Sequence, residues 1–75
     1  MNRDVFEGKW HEMKGKVKEQ WGKLTDDDLD RSKGKAEQLI GLIQKQYGYA
    51  RDRAEKEYDE FVDRWEREAA RHEVR

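Results

Sequence analysis

The chain has 75 residues, 47% of them charged and 33% hydrophobic, and its 17 Lys and Arg nearly cancel its 18 Asp and Glu. That length bounds it to one small domain with a thin core, and the charge balance argues against a dedicated nucleic-acid binder, which is basic overall. With no cysteine and no proline, it has no disulfide or thiolate metal site and nothing to interrupt long helices.

In the first segment, apolar residues fall at Phe6, Trp10, Met13, Val17, Trp21 and Leu24. Their steps of four and three form a single helical stripe. Gly22 stands where a left-handed residue would end this helix. A second start follows at once in LTDDDL. Thr25 is a capping residue, Asp26, Asp27 and Asp28 face the positive end of the helix dipole, and Leu24 and Leu29 form a hydrophobic staple. Ser32 and Gly34 weaken this helix, so a break is expected near residues 31 to 33.

The third helix carries Ala36, Leu39, Ile40, Ile43 and Tyr47 on one side and is expected to end at Gly48, with Tyr49 folding back on Ile43. The last helix is long. Its apolar side reads Ala50, Ala54, Tyr58, Phe61, Val62, Trp65 and Ala69, and Asp52–Lys56, Glu60–Arg64 and Asp63–Arg67 are spaced as i,i+4 ion pairs. One domain over residues 1–70 is expected, with a frayed tail over 71–75.

Sliding the sequence by 26 residues aligns GKWHEMKGKVKEQWG with GKAEQLIGLIQKQYG, with five identities in fifteen positions. All six glycines lie in this pattern, at 8, 15 and 22 and again at 34, 41 and 48. Two related helices, each followed by another, predict an all-α four-helix bundle made of two helical hairpins. Gly22 and Gly48 then act as helix ends, and Gly8 and Gly34 lie near helix starts where they cost little. Gly15 and Gly41 are mid-helix, opposite the apolar stripe, and need another reason, such as close crossing by a neighbouring helix.

The candidate functional surface is a lysine stripe on the first helix. Lys9, Lys16 and Lys23 share a face with the glycines, and Lys14, Lys18 and Lys35 extend it. Such a strip suits a phosphate backbone, although a charged stripe is more often a solvated face. Trp10, Trp21 and Trp65 lie on apolar stripes, which makes them structural rather than stacking platforms for bases. His11 and His72 lack further ligands, and the aspartates of LTDDDL lack the glycine turn and terminal glutamate of a calcium loop. No nucleophile–base pair is implied by spacing. No catalytic, metal or cofactor residue is therefore expected. No apolar run reaches the ~20 residues of a membrane span. The start MNRDVFEGK lacks the apolar stretch of a signal peptide, so a cytoplasmic protein without membrane contact is expected.

The stretch KVKEQWGKLTDDD and the motif Q-x-x-Y-G-Y, here Gln44 to Tyr49, resemble the CsbD-like family of small bacterial general stress-response proteins. The resemblance runs from about Asn2 to Trp65, and residues beyond Trp65 read as an extension of the last helix. It implies crossed helical hairpins related to SAM-domain-like folds, and induction by osmotic or stationary-phase stress. It brings no catalytic residue, cofactor or small-molecule substrate. The expected function is that of a non-catalytic stress protein, acting as a hydrophilic protectant. The alternative is a nucleic-acid-associated module using the lysine stripe, and DNA or other proteins are the candidate partners.

Overall fold

The computed structural model describes residues 4–73, with side chains described through Ala69. A 3-10 turn at Glu7–Lys9 leads into four helices: α1 (Trp10–Gln20), α2 (Asp26–Ser32), α3 (Ala36–Tyr47) and α4 (Arg51–Glu73). No strand occurs among the described residues. The bundle measures 41 × 24 × 21 Å, and its long axis is close to the ~34 Å of a 23-residue helix such as α4. Helix α4 is described to Glu73. Residues 74 and 75 lie outside the described residues.

The apolar stripes meet in one core. Met13 and Val17 of α1, Leu29 of α2, Leu39, Ile40 and Ile43 of α3, and Tyr58 of α4 are all buried. Helix α4 packs chiefly on α3. Leu24 and Leu29 are fully buried on either side of the α2 start, where the Asp28 amide donates to Thr25 Oγ1 at 3.0 Å. That cap and staple hold the short α2 in place. Ala50, expected on the apolar side of α4, instead lies exposed just before the helix. Of the three ion pairs read from α4, Asp63–Arg67 closes at 2.9 Å; Arg51–Glu55 and Arg53–Glu57 add pairs with the basic residue first.

The 26-residue repeat is a repeat of helix starts, because Trp10 and Ala36 both open helices. The two helices end differently. Gly48 closes α3 in the left-handed region at φ 71°, and its amide donates to Gln44 O. Gly22 does not do the same for α1: the described positive-φ glycines are Gly34 and Gly48. Helix α1 ends at Gln20, and Trp21 departs at φ −125° and ψ 80°. This extended residue delivers its indole to Phe61, with ring centroids 5.0 Å apart. Burial of a large aromatic ring decides that ending, whereas its counterpart Tyr47 stays helical and half-exposed.

The α2–α3 turn holds the glycine that matters most. Lys33 and Gly34 are both left-handed, at φ 54° and 80°. Ser32 Oγ donates to Leu29 O at 2.8 Å and accepts from the Gly34 amide at 3.3 Å, so this buried hydroxyl is satisfied on both sides. A Cβ on Gly34 would stand 3.0 Å from Trp10 Cε3, 3.1 Å from Phe6 O and 3.2 Å from Glu7 Cα. Gly34 is thus not an inexpensive glycine near a helix start. It is the point where the N-terminal segment lies against the turn.

Candidate functional site

The lysines predicted to share one face are divided among three neighbours. Lys14 Nζ donates to Asp30 of α2 at 2.6 Å, and Lys18 lies 3.7 Å from Asp26. The hydrogen bond to Asp30 raises the Lys14 pKa above the ordinary lysine value, and the nearby Asp30 and Asp26 charges add to the effect. Lys9 and Lys23 lie over aromatic rings instead, 4.9 Å from the Trp65 centroid and 5.1 Å from that of Tyr47. Lys35 belongs to another part of the fold, as the exposed residue preceding α3. Lys16 faces α4 across an open groove of about 280 Å³, together with Glu19, Phe61, Arg64, Trp65 and Glu68.

This arrangement is mixed in charge. Asp26, in the first turn of α2, and Asp30, further along it, act as counterions for α1, a long-range relation that helical periodicity cannot reveal. Gly15 and Gly41 are exposed, and a Cβ on either would meet no atom within 4 Å. Close crossing by a neighbouring helix is therefore not the reason for these glycines, and nothing in the structure explains them.

The motif Gln44–Tyr49 gains a physical role. Tyr47 and Tyr49 stack with centroids 5.5 Å apart, and Tyr49 also packs against the core cluster to which Ile43 belongs. Arg53 covers the Tyr49 ring at 3.9 Å, and Lys23 lies over Tyr47. The Lys23 amide also donates to the Tyr47 hydroxyl at 3.3 Å. The left-handed Gly48 makes the sharp turn that lets both rings stack. A cation, two rings and a second cation thereby tie the end of α1 to the α3–α4 junction. Trp10 and Trp21 are likewise structural. Trp10 Nε1 donates to Leu29 O at 2.8 Å, and Trp21 is 2% exposed. Trp65 is half-buried and meets Phe6 edge-on at 5.4 Å.

Among the described residues, no group of three His, Cys, Asp or Glu is placed to hold a metal ion. No described helix is long and apolar enough to cross a membrane.

The family model described as CsbD-like matches residues 4–56, which takes in the N-terminal segment, α1 to α3 and the start of α4. The chain belongs to the CsbD-like family. This is the stress-response family that KVKEQWGKLTDDD and the Gln44–Tyr49 motif resembled. The CsbD-like chain is 56% identical over 75 residues to UPF0337 protein YjbJ of Escherichia coli O6:H1, covering 100% of this chain and 99% of that protein. It is 53% identical over 64 residues to UPF0337 protein PA4738 of Pseudomonas aeruginosa, covering 85% and 98% respectively. It is 52% identical over 64 residues to UPF0337 protein pc0632 of Protochlamydia amoebophila, covering 85% and 97% respectively. The CsbD-like match thus includes the cap at Thr25, the Gly34 turn and the tyrosine stack.

Proposed function

We propose that this chain is a non-catalytic bacterial stress-response protein that acts as a hydrophilic protectant. The observation that carries the reading is a surface dense in charge yet nearly neutral, with 47% charged residues and a net charge of −1. Exposed pairs such as Arg51–Glu37 at 2.7 Å and Arg67–Asp63 at 2.9 Å couple many of these charges within the molecule. Such pairs contribute little to stability, typically about 0–1 kcal/mol each. They do keep the surface strongly hydrated without a large field of either sign. A chain of this kind stays soluble when concentrated and separates other proteins as water is lost. Family membership supports the link to stress.

The test is protection of a labile enzyme through drying or freezing. At equal mass this protein should preserve more activity than albumin, and equal or poorer protection would count against the proposal. Gel shifts at low and moderate salt address the nucleic-acid alternative. Retardation that weakens with salt, and weakens further in a Lys9→Glu/Lys16→Glu/Lys23→Glu variant, would favour it instead.

A further inference from the structure

Helix α4 is anchored in the core along only part of its length. Its buried side chains are Ala54, Tyr58, Phe61 and Val62, and none of its described side chains beyond Val62 is buried. Among the described residues, no Cα of α1 comes within 8 Å of one of α4, and an open groove lies between them at Lys16, Glu19 and Trp65. The N-terminal segment supplies packing at this end of α4. Phe6 is fully buried and meets the Trp65 ring edge-on at 5.4 Å, with Phe61 at 5.6 Å and Tyr58 at 6.1 Å. The Lys9 ammonium lies 4.9 Å from the Trp65 centroid.

Residues 4–9 have their own boundary with the rest of the fold. Lys9, at φ −133° and ψ 33°, separates the 3-10 turn from α1. Across that boundary Trp10 is held independently, because its Nε1 donates to Leu29 O at 2.8 Å. The segment reaches the other helices by its own contacts: Asp4 Oδ1 accepts from the Ala36 amide at 2.8 Å, capping α3 where the side chain of Lys35 makes no capping bond. The centre of the bundle has other supports. Met13 and Val17 are buried with Leu39, Ile40 and Ile43, and α2 keeps its cap at Thr25. Parts of a fold with few buried contacts open at lower free energy than the whole.

We propose that residues 4–9 and α4 from Trp65 onward form one latch, which opens as a unit while α1 to α3 and the first part of α4 stay folded. Each half of the latch holds the other through the Phe6–Trp65 and Lys9–Trp65 contacts, so neither opens alone. Opening uncovers Phe61 and Tyr58 and joins them to the groove beside Lys16 and Glu19. The inference goes beyond the protectant reading, because it gives the chain a second, partly open form.

Amide hydrogen exchange of the full chain, followed by NMR in low urea, tests the latch. In the wild type, the Ala36 amide and those of residues 66–69 should share one opening free energy and one urea slope, both smaller than those of Leu39, Ile40 and Ile43. Trp65→Leu removes the ring that meets Phe6 and Lys9. It should speed exchange at the Ala36 amide about fivefold to fiftyfold, although that amide is bonded to Asp4 and not to α4. An Ala36 amide indifferent to Trp65→Leu would overturn the proposal. So would a wild-type chain in which Ala36 and residues 66–69 open with different slopes, or only with the α3 core. The wild-type slopes decide the matter even if Trp65→Leu does not fold.

Discussion

Alanine at each of four glycines separates backbone strain from packing. At Gly48, with φ 71° and nothing within 4 Å of a Cβ, alanine meets only the left-handed backbone penalty of about 1–2 kcal/mol. At Gly34, with φ 80°, the same penalty applies, and the new methyl also meets Phe6 O at 3.1 Å and Glu7 Cα at 3.2 Å. Those are backbone atoms that cannot swing aside, so overpacking adds about 1–3 kcal/mol, giving about 2–5 kcal/mol in all. For 75 residues the whole stability is about 4–11 kcal/mol, so Gly34→Ala should leave the domain marginal or unfolded. Gly15→Ala and Gly41→Ala meet open space and should each stabilise by about 0.5–1 kcal/mol. Urea titrations followed by circular dichroism give all four values. If Gly34→Ala proved no worse than Gly48→Ala, the tight seating of the N-terminal segment would be refuted. Loss of stability in Gly15→Ala or Gly41→Ala would refute the open faces.

Three further outcomes follow from individual contacts. Thr25→Ala removes the acceptor for the Asp28 amide and should cost about 1 kcal/mol in the same titration. Trp10→Phe deletes the donor to Leu29 O and should cost about 1–2 kcal/mol, with Leu29 O keeping its bond from Ser32. Because Asp30 raises the Lys14 pKa, the Lys14–Asp30 contribution is fully present below the unfolded lysine value and is lost as pH rises through the folded one. Stability measured against pH should therefore show this contribution disappear only in alkali, and Lys14→Met should remove that part of the alkaline decline.

The sequence discloses what short-range chemistry determines. Thr25 and the Leu24–Leu29 staple lie within one helical turn, so the α2 start is legible, as are the apolar stripes and the left-handed Gly48. The rest depends on distant partners. Lys33 has no intrinsic preference for φ 54°; it lies between Ser32, whose hydroxyl is bonded at the turn, and a glycine closely approached by Phe6 and Glu7. The lysines looked like one strip because their counterions, Asp26 and Asp30, sit on another helix, and Asp26 already had a local role at the start of α2. Asp4 caps α3 from 32 residues away, beyond any periodic pattern. The recurrence of glycine every seven residues draws attention to residues 8, 15 and 22, yet the decisive close approach is at Gly34.

The three indoles occupy three different surroundings, which gives the molecule its own optical reporters. Trp10 is hydrogen-bonded to a carbonyl, and buried Trp21 has no acceptor for Nε1 among the described residues. Trp65 is half-buried beneath an ammonium 4.9 Å away. Their emission should differ in colour, with Trp21 bluest and Trp65 the most accessible to a dissolved quencher such as iodide. A variant retaining Trp65 alone would brighten or dim as Phe6 and Lys9 leave its ring. The light it emits would follow the position of the N-terminal segment with no dye attached.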